Sequence, residues 1–155
     1  MIHIEKVELK DKELLFNINQ KYLYEMTLYY NDPMDENGNY HYGYFDEYFT
    51  LDNRIPYFIY NDNDLVGFVF INNYSYINEH VDYVIGQMTI FPAYRQKGYA
   101  HNTIKLLFDL YKGAWEIKYN EKNIKAKNFW EKETLIFNPR KIIINEYETL
   151  LKFHN

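Results

Sequence analysis

The chain of 155 residues contains no cysteine, which excludes disulfide cross-links and a thiol nucleophile and fits a reducing compartment. Covalent catalysis would need some other nucleophile. Glycine (6) and proline (4) are few, and no internal repeat or low-complexity tract is visible. No apolar run approaches the roughly 18 to 20 residues that a membrane helix needs. Charges at Glu5, Lys6, Glu8 and Lys10 stand where a signal peptide would be apolar, so a cytoplasmic protein without a membrane partner is expected. Positive charge is also in short supply. A formal net charge of −5 argues against nucleic acid, whose phosphates are held by clustered Lys and Arg.

What is present is enough apolar material, 47% of the residues, for one core, so a single domain over residues 1–155 is expected. Ile2 to Glu8 alternates with period two, as a half-buried strand does. Asp11 then offers an N-cap acceptor, and Leu14, Leu15, Ile18, Tyr22 and Met26 recur at helical spacing, predicting a helix to about Tyr29. Between Asn31 and Asn53 the pattern breaks at Pro33, Gly38 and Gly43, with a short helix near Phe45 to Phe49. Ile55 to Tyr60 and Leu65 to Ile71 read as a hairpin across Asn61-Asp62-Asn63-Asp64. A strand over Val81 to Ile90 stops at Pro92. The period then changes to that of a helix, from Gly98 to about Lys112-Gly113. Trp115 to Tyr119 alternates again, Ala126, Phe129 and Trp130 return to helical spacing, and the tail from Leu135 to Phe153 predicts two strands around Asn145-Glu146.

The informative stretch is Gly86-Gln87-Met88-Thr89-Ile90-Phe91-Pro92-Ala93-Tyr94-Arg95-Gln96-Lys97-Gly98-Tyr99-Ala100, a strand feeding a tight turn that feeds a helix. N–H groups at a helix start lack intrahelical acceptors and lie at the positive end of the helix dipole, so an anion fits there. Gly98 permits close backbone approach, Ala100 keeps the next position small, and Arg95 and Lys97 supply counter-charge.

Arg95 to Ala100, written R-x-x-G-x-A, resembles the central coenzyme A signature of the GNAT superfamily of acetyl-CoA-dependent acyltransferases. Downstream, Asn123, Ala126, Phe129 and Trp130, followed by Lys132, resemble its later motif, and Leu65 to Phe70 resembles its preceding strand. The match covers roughly Leu65 to Lys132. The resemblance implies an α/β (α+β) fold with a mixed, mostly antiparallel central sheet of about six to seven strands flanked by helices. It implies acetyl-CoA as co-substrate and no metal. Its turn would bind pyrophosphate through Arg95, Gln96, Lys97, Gly98, Tyr99 and Ala100, with Asn123, Phe129 and Trp130 beside it. Main-chain groups of Met88 and Ile90 would bond the pantetheine arm as though it were a strand, and an N–H at Thr89 or Ile90 would polarise the thioester carbonyl.

Family members mostly transfer the acyl group directly to an amine. A primary amine with a pKa of roughly 10.4 must lose a proton before it attacks, and the sequence does not name the base. Where some relatives place a glutamate this chain has Val84, and where many place a proton-donating tyrosine it has Trp130. The remaining candidates are Glu79, His80 and Asp82 near the start of that strand, Asp46 and Glu47 in the tyrosine-rich loop, and Tyr119 as a proton donor. The loop's tyrosines and acids suggest a small cationic amine such as a polyamine, amino sugar or amino acid derivative. An acetyltransferase acting on a peptide or protein amine and an acyl-CoA-binding module without turnover are the alternatives, and a homodimer is left open.

Overall fold

The computed structural model covers residues 1–155. Seven strands form one sheet in the order β1-β2-β3-β4-β5-β7-β6. They are β1 (Ile2–Lys6), β2 (Arg54–Asn61), β3 (Asp64–Asn72), β4 (Tyr83–Ile90), β5 (Ala114–Asn120), β6 (Arg140–Ile143) and β7 (Glu148–His154). Every neighbouring pair is antiparallel except β4 and β5. The helices are α1 (Lys12–Met26), α2 (Tyr99–Leu110) and α3 (Ile124–Thr134). This is the mixed, mostly antiparallel sheet flanked by helices that the resemblance implies.

Strand alternation divides the core in two. On one face Ile59, Val69, Ile71, Ile85, Trp115, Ile117 and Leu151 pack with Ile104, Leu107 and Phe108 of α2 and Trp130 of α3. On the other, Phe58, Phe68 and Phe70 pack with Leu15 and Ile18 of α1 and with Phe45 and Tyr48. Along β5 the two sets are distinct in chemistry. Trp115, Ile117 and Tyr119 enter the α2–α3 core, while the intervening Glu116 and Lys118 bond to groups on the α1 side.

Several boundaries differ from the sequence expectation. The first strand closes at Lys6: the Val7 N–H still bonds to Pro56 O, but Pro56 has no N–H to return the pair. Helix α1 stops at Met26, where the Thr27 hydroxyl takes the Tyr24 carbonyl and Leu28 to Tyr30 continue as turns. Asp11 precedes α1, but its side chain makes no capping bond. The strand expected from Val81 begins at Tyr83, since Asp82 instead clasps Ala114 through both its backbone and its carboxylate. The tail strands reverse around Asn145, whose Oδ1 accepts the N–H groups of Tyr147 and Glu148.

Candidate active site

The decisive local feature is one extra residue in β4. Phe70 faces Gln87 across the ladder and Ile71 faces Ile85, so Gly86 is bulged. A bulge bends and twists the strand that carries it. At the same point the parallel pairing of β4 with β5 ends: it holds from Tyr83 to Ile85 and no further. Beyond it β4 stays with β3, while β5 stays with β7 as far as Asn120. The sheet therefore opens into a cleft between Gly86–Ile90 and Lys118–Asn120.

The direction of β4's backbone groups in this cleft follows from alternation. The Phe91 N–H donates to Val66 O on the β3 side at 2.8 Å. By alternation Thr89 also faces β3, and Met88 and Ile90 face the cleft. A Cβ placed on Gly67 would lie 2.2 Å from the Thr89 carbonyl oxygen, which agrees with that direction and explains why β3 carries a glycine there. Met88 and Ile90 are thus the free main-chain groups, and the N–H of Thr89 is not available to the cleft. The Ile90 carbonyl already accepts Arg95 Nε at 2.7 Å, so at Ile90 the N–H is what remains.

At the end of β4 lies the turn. Gln96 and Gly98 both adopt left-handed backbone, with φ of 60° and 79°, curling the chain ahead of α2 as anion-binding nests do. None of the N–H groups of Gln96, Lys97, Gly98, Tyr99, Ala100 or His101 finds an acceptor within the chain. A Cβ on Gly98 would meet no atom within 4 Å, so Gly98 borders open space. Lys97 in the turn, and Lys125 and Lys132 lining the adjoining groove, have no carboxylate partner. Arg95 does not stand free as the sequence suggested. Its guanidinium makes a bidentate pair with Glu25 of α1, at 2.8 and 2.6 Å, and also reaches Thr89 Oγ1 at 3.2 Å. Arg95 therefore ties α1 to β4 and walls the groove with its charge already matched.

Side chains from α3 complete the opposite wall. Asn123 caps α3, its Oδ1 accepting the Ala126 N–H at 3.2 Å. Phe129 lines the groove where it meets the turn, and Trp130 lines it where it enters the cleft. The groove is continuous with the cleft through Met88 and Trp130. The cleft in turn shares Gly86, Gln87 and Lys118 with a cavity of about 520 Å³ on the α1 side. Gln87 is fixed there by Asn19 of α1, a 2.6 Å bond between buried side chains.

The acid–base candidates separate sharply. Glu79 is bound by Arg140 at 2.6 Å and Asp82 holds the Ala114 N–H, both on the paired side of the bulge, and neither lines the cleft or the cavity. His80 pairs with Asp82. Asp46 pairs with Lys12 outside the cavity at 2.9 Å. Glu47 does line the cavity, beside Arg54. Tyr119 reaches the cleft, but its hydroxyl is committed to Glu131 Oε1 at 2.6 Å, and burial raises its pKa. Sequence reasoning missed Arg54, Lys118, Gln87 and Glu25; each depends on a contact between distant segments, which leaves no local signal.

The Tyr119 bond has a consequence for stability. Glu131 is held below the usual carboxylate range by the donors Tyr119 and Lys141. A carboxyl with a depressed folded pKa adds stability above its unfolded pKa of about 4.3, and the contribution is lost as pH falls below that. Tyr119→Phe should therefore lower unfolding stability at pH 7 by about 1 kcal/mol. Urea titrations near pH 3.5 should show a smaller difference between the two proteins.

Comparison with known proteins agrees with this architecture. The profile of the acetyltransferase (GNAT) family matches residues 17–134. Among curated proteins no sequence matches this chain. Similar solved structures include NAA60 of Arabidopsis thaliana in complex with acetyl-CoA, at 12% identity, a TM-score of 0.66 and coverage of 99% of this chain and 98% of that one. Spermidine N-acetyltransferase from Vibrio cholerae, in complex with CoA and spermine, gives 17%, 0.65, 99% and 94%. The ribosomal-protein-S18-alanine N-acetyltransferase of Escherichia coli gives 11%, 0.63, 99% and 94%. Identities this low speak for the fold alone, whereas the family profile spans most of the sequence and includes both the bulged strand and the glycine turn. The chain belongs to the acetyltransferase (GNAT) family.

Proposed function

We propose that this chain transfers an acetyl group from acetyl-CoA directly to a primary amine of a small molecule. The observation that carries the reading is the opened sheet behind Gly86, which joins an anion-binding turn on one side to a separate polar cavity on the other. Two substrates could enter from opposite sides and meet at Gly86, Gln87 and Lys118.

The free N–H groups from Gln96 to Ala100 bind the diphosphate, with Lys97, Lys125 and Lys132 as counter-charge and Arg95 as a fixed wall. Met88 and Ile90 bond the pantetheine arm as a missing strand would. When bound, acetyl-CoA supplies an activated acyl thioester. The Ile90 N–H is the donor suited to its carbonyl oxygen, because a preorganised dipole acts most strongly where water is excluded. Val84 cannot accept a proton, so the ammonium's proton leaves through solvent in the polar cavity. Trp130 donates a hydrogen bond at most.

The test is thiol release from acetyl-CoA against amines, amino sugars, amino acids and peptides, alongside thermal shifts. Acetyl-CoA should raise the melting temperature, and at least one amine should give turnover on the order of 1 to 100 s⁻¹. Stabilisation without thiol release from any acceptor would favour the second reading, an acyl-CoA-binding module, to which Val84 and Trp130 lend weight. Release only with peptides would move the acceptor class to protein amines.

A further inference from the structure

The acceptor-side cavity holds an arginine that the chain leaves largely unsatisfied. Arg54 opens β2, and its side chain is 6% exposed. Its guanidinium is clamped between two aromatic rings, with Cζ 4.3 Å from the Tyr44 centroid and 4.2 Å from that of Tyr74; Tyr48 lies at 5.6 Å. Stacking of this kind fixes the plane of the fork and leaves its edge for in-plane acceptors. Glu47 Oε2 lies 2.8 Å from Nε, yet out of line for an N–H bond, and Nε is buried without an acceptor. The Tyr48 hydroxyl is the other polar group that acts on the guanidinium. For comparison, Arg95 donates from all three of its nitrogens. A buried arginine that has a counter-charge but few aligned hydrogen bonds is costly to retain.

Glu47, half-exposed beside Nε, is the one carboxylate that offsets this charge from within the cavity. Lys118, on the floor, is a second cation; it pairs with Glu148 at 2.9 Å and sits over the Tyr76 ring. Burial raises the pKa of Tyr42 and Tyr76, so these phenols stay neutral. Asn72, Ser75 and Gln87 add uncharged polar groups. A volume of about 520 Å³ lies within the range of small-molecule pockets.

We infer that Arg54 is a carboxylate receptor, and that the acceptor is an amino acid or a close derivative with a free carboxylate. The inference rests on the acetyltransferase reading for the cavity's role. A planar fork with a free edge matches a carboxylate bidentately, whereas a polyamine would bring cations toward Arg54 and Lys118. Glu47 then serves to hold Arg54 while the site is empty and to keep it from being an indiscriminate anion trap. The cationic acceptor suggested by the loop's acids does not suit this lining, because Asp46 turns away to Lys12 and Glu47 is spent beside Arg54.

The test uses binding, so that it does not depend on turnover. The N-acetyl derivatives of the twenty standard amino acids would be titrated into the CoA-saturated protein by calorimetry, beside the matching N-acetyl amino acid amides, which lack only the carboxylate charge. At least one acid should bind more than about 30-fold tighter than its amide. Arg54→Met should abolish that preference, and Glu47→Gln should tighten binding of the acid several-fold. Acids and amides binding alike, no acid binding at all, or weaker binding of the acid by Glu47→Gln would overturn the inference. If Arg54→Met does not fold, the acid–amide comparison on the unaltered protein and Glu47→Gln still decide it. Thiol release in the same samples reports separately on the acetyltransferase reading, which fails if no amine of any class is consumed.

Discussion

Gly98→Val should leave a folded protein that has lost at least about 100-fold in affinity for acetyl-CoA, equivalent to about 3 kcal/mol. Two physical effects combine. A β-branched residue at φ +79° is strained by roughly 1 to 2 kcal/mol, which a domain with 5 to about 15 kcal/mol of stability tolerates. Its Cβ meets no protein atom, so nothing in the core is displaced. The added methyl groups instead enter the open space beside the free N–H groups of Gln96 to His101, the proposed diphosphate site. Gly98→Ala, with less strain and less bulk, should lose affinity by a smaller factor. Isothermal titration with CoA on both variants, with circular dichroism to confirm folding, checks the prediction.

The second large effect concerns Glu116. Its side chain is fully buried and accepts three bonds, from Ser75 Oγ at 2.6 Å, Tyr76 N at 2.8 Å and Lys152 Nζ at 2.9 Å. Ser75 and Tyr76 belong to the segment after β3 that walls the cavity on the α1 side. Glu116→Leu removes the near carboxylate of Lys152, whose side chain is 14% exposed, leaving it the His80 carbonyl at 2.6 Å and Glu79 at 3.9 Å, and releases that segment. Breaking one member of a buried pair costs about 3 to 5 kcal/mol, a fall in melting temperature of roughly 10 °C for a domain of this size. Combining it with Lys152→Met should restore part of the stability, because a mostly buried ammonium left with only the more distant Glu79 is gone. The cavity wall should not recover, since Tyr76 N and Ser75 still lack their acceptor. The double variant should therefore bind acetyl-CoA normally and show a raised KM for its amine.

How much of this could be read from the residues alone depends on range. The turn was legible because its chemistry is local: Gly98 marks a left-handed position, Pro92 ends the strand, and helical periodicity starts immediately afterwards. The strand pattern was legible for the same reason, including the hairpin at Asp62, whose φ of 53° an aspartate tolerates. The opening of the sheet at Gly86 was hidden. Gly86 itself is a mark of a bulge, since a glycine inside a strand pattern suggests one, but only the registers against β3 and β5 show that the sheet opens there.

Charges were read least well, because their partners lie far away in sequence. Arg95 looked like a free counter-charge, yet Glu25, seventy positions earlier, neutralises it. Asp46 and Glu47 looked like one acidic pair. They sit in a short 3-10 helix, Asp46–Phe49, where successive side chains point about 120° apart, so one meets Lys12 and the other Arg54. The acids Glu79 and Asp82 are near the reacting strand in sequence but on the closed side of its bulge. Both precede β4, and neither lines the cleft or the cavity.

The central claim is that the amides leading into α2 and the opened edge of β4 together hold the coenzyme. A crystal structure of the protein with CoA tests it most directly. The account predicts diphosphate oxygens within about 3 Å of N–H groups between Gln96 and Ala100, and the pantetheine arm along Met88 and Ile90. Density for CoA at any other place, with those amides facing only water, would contradict it.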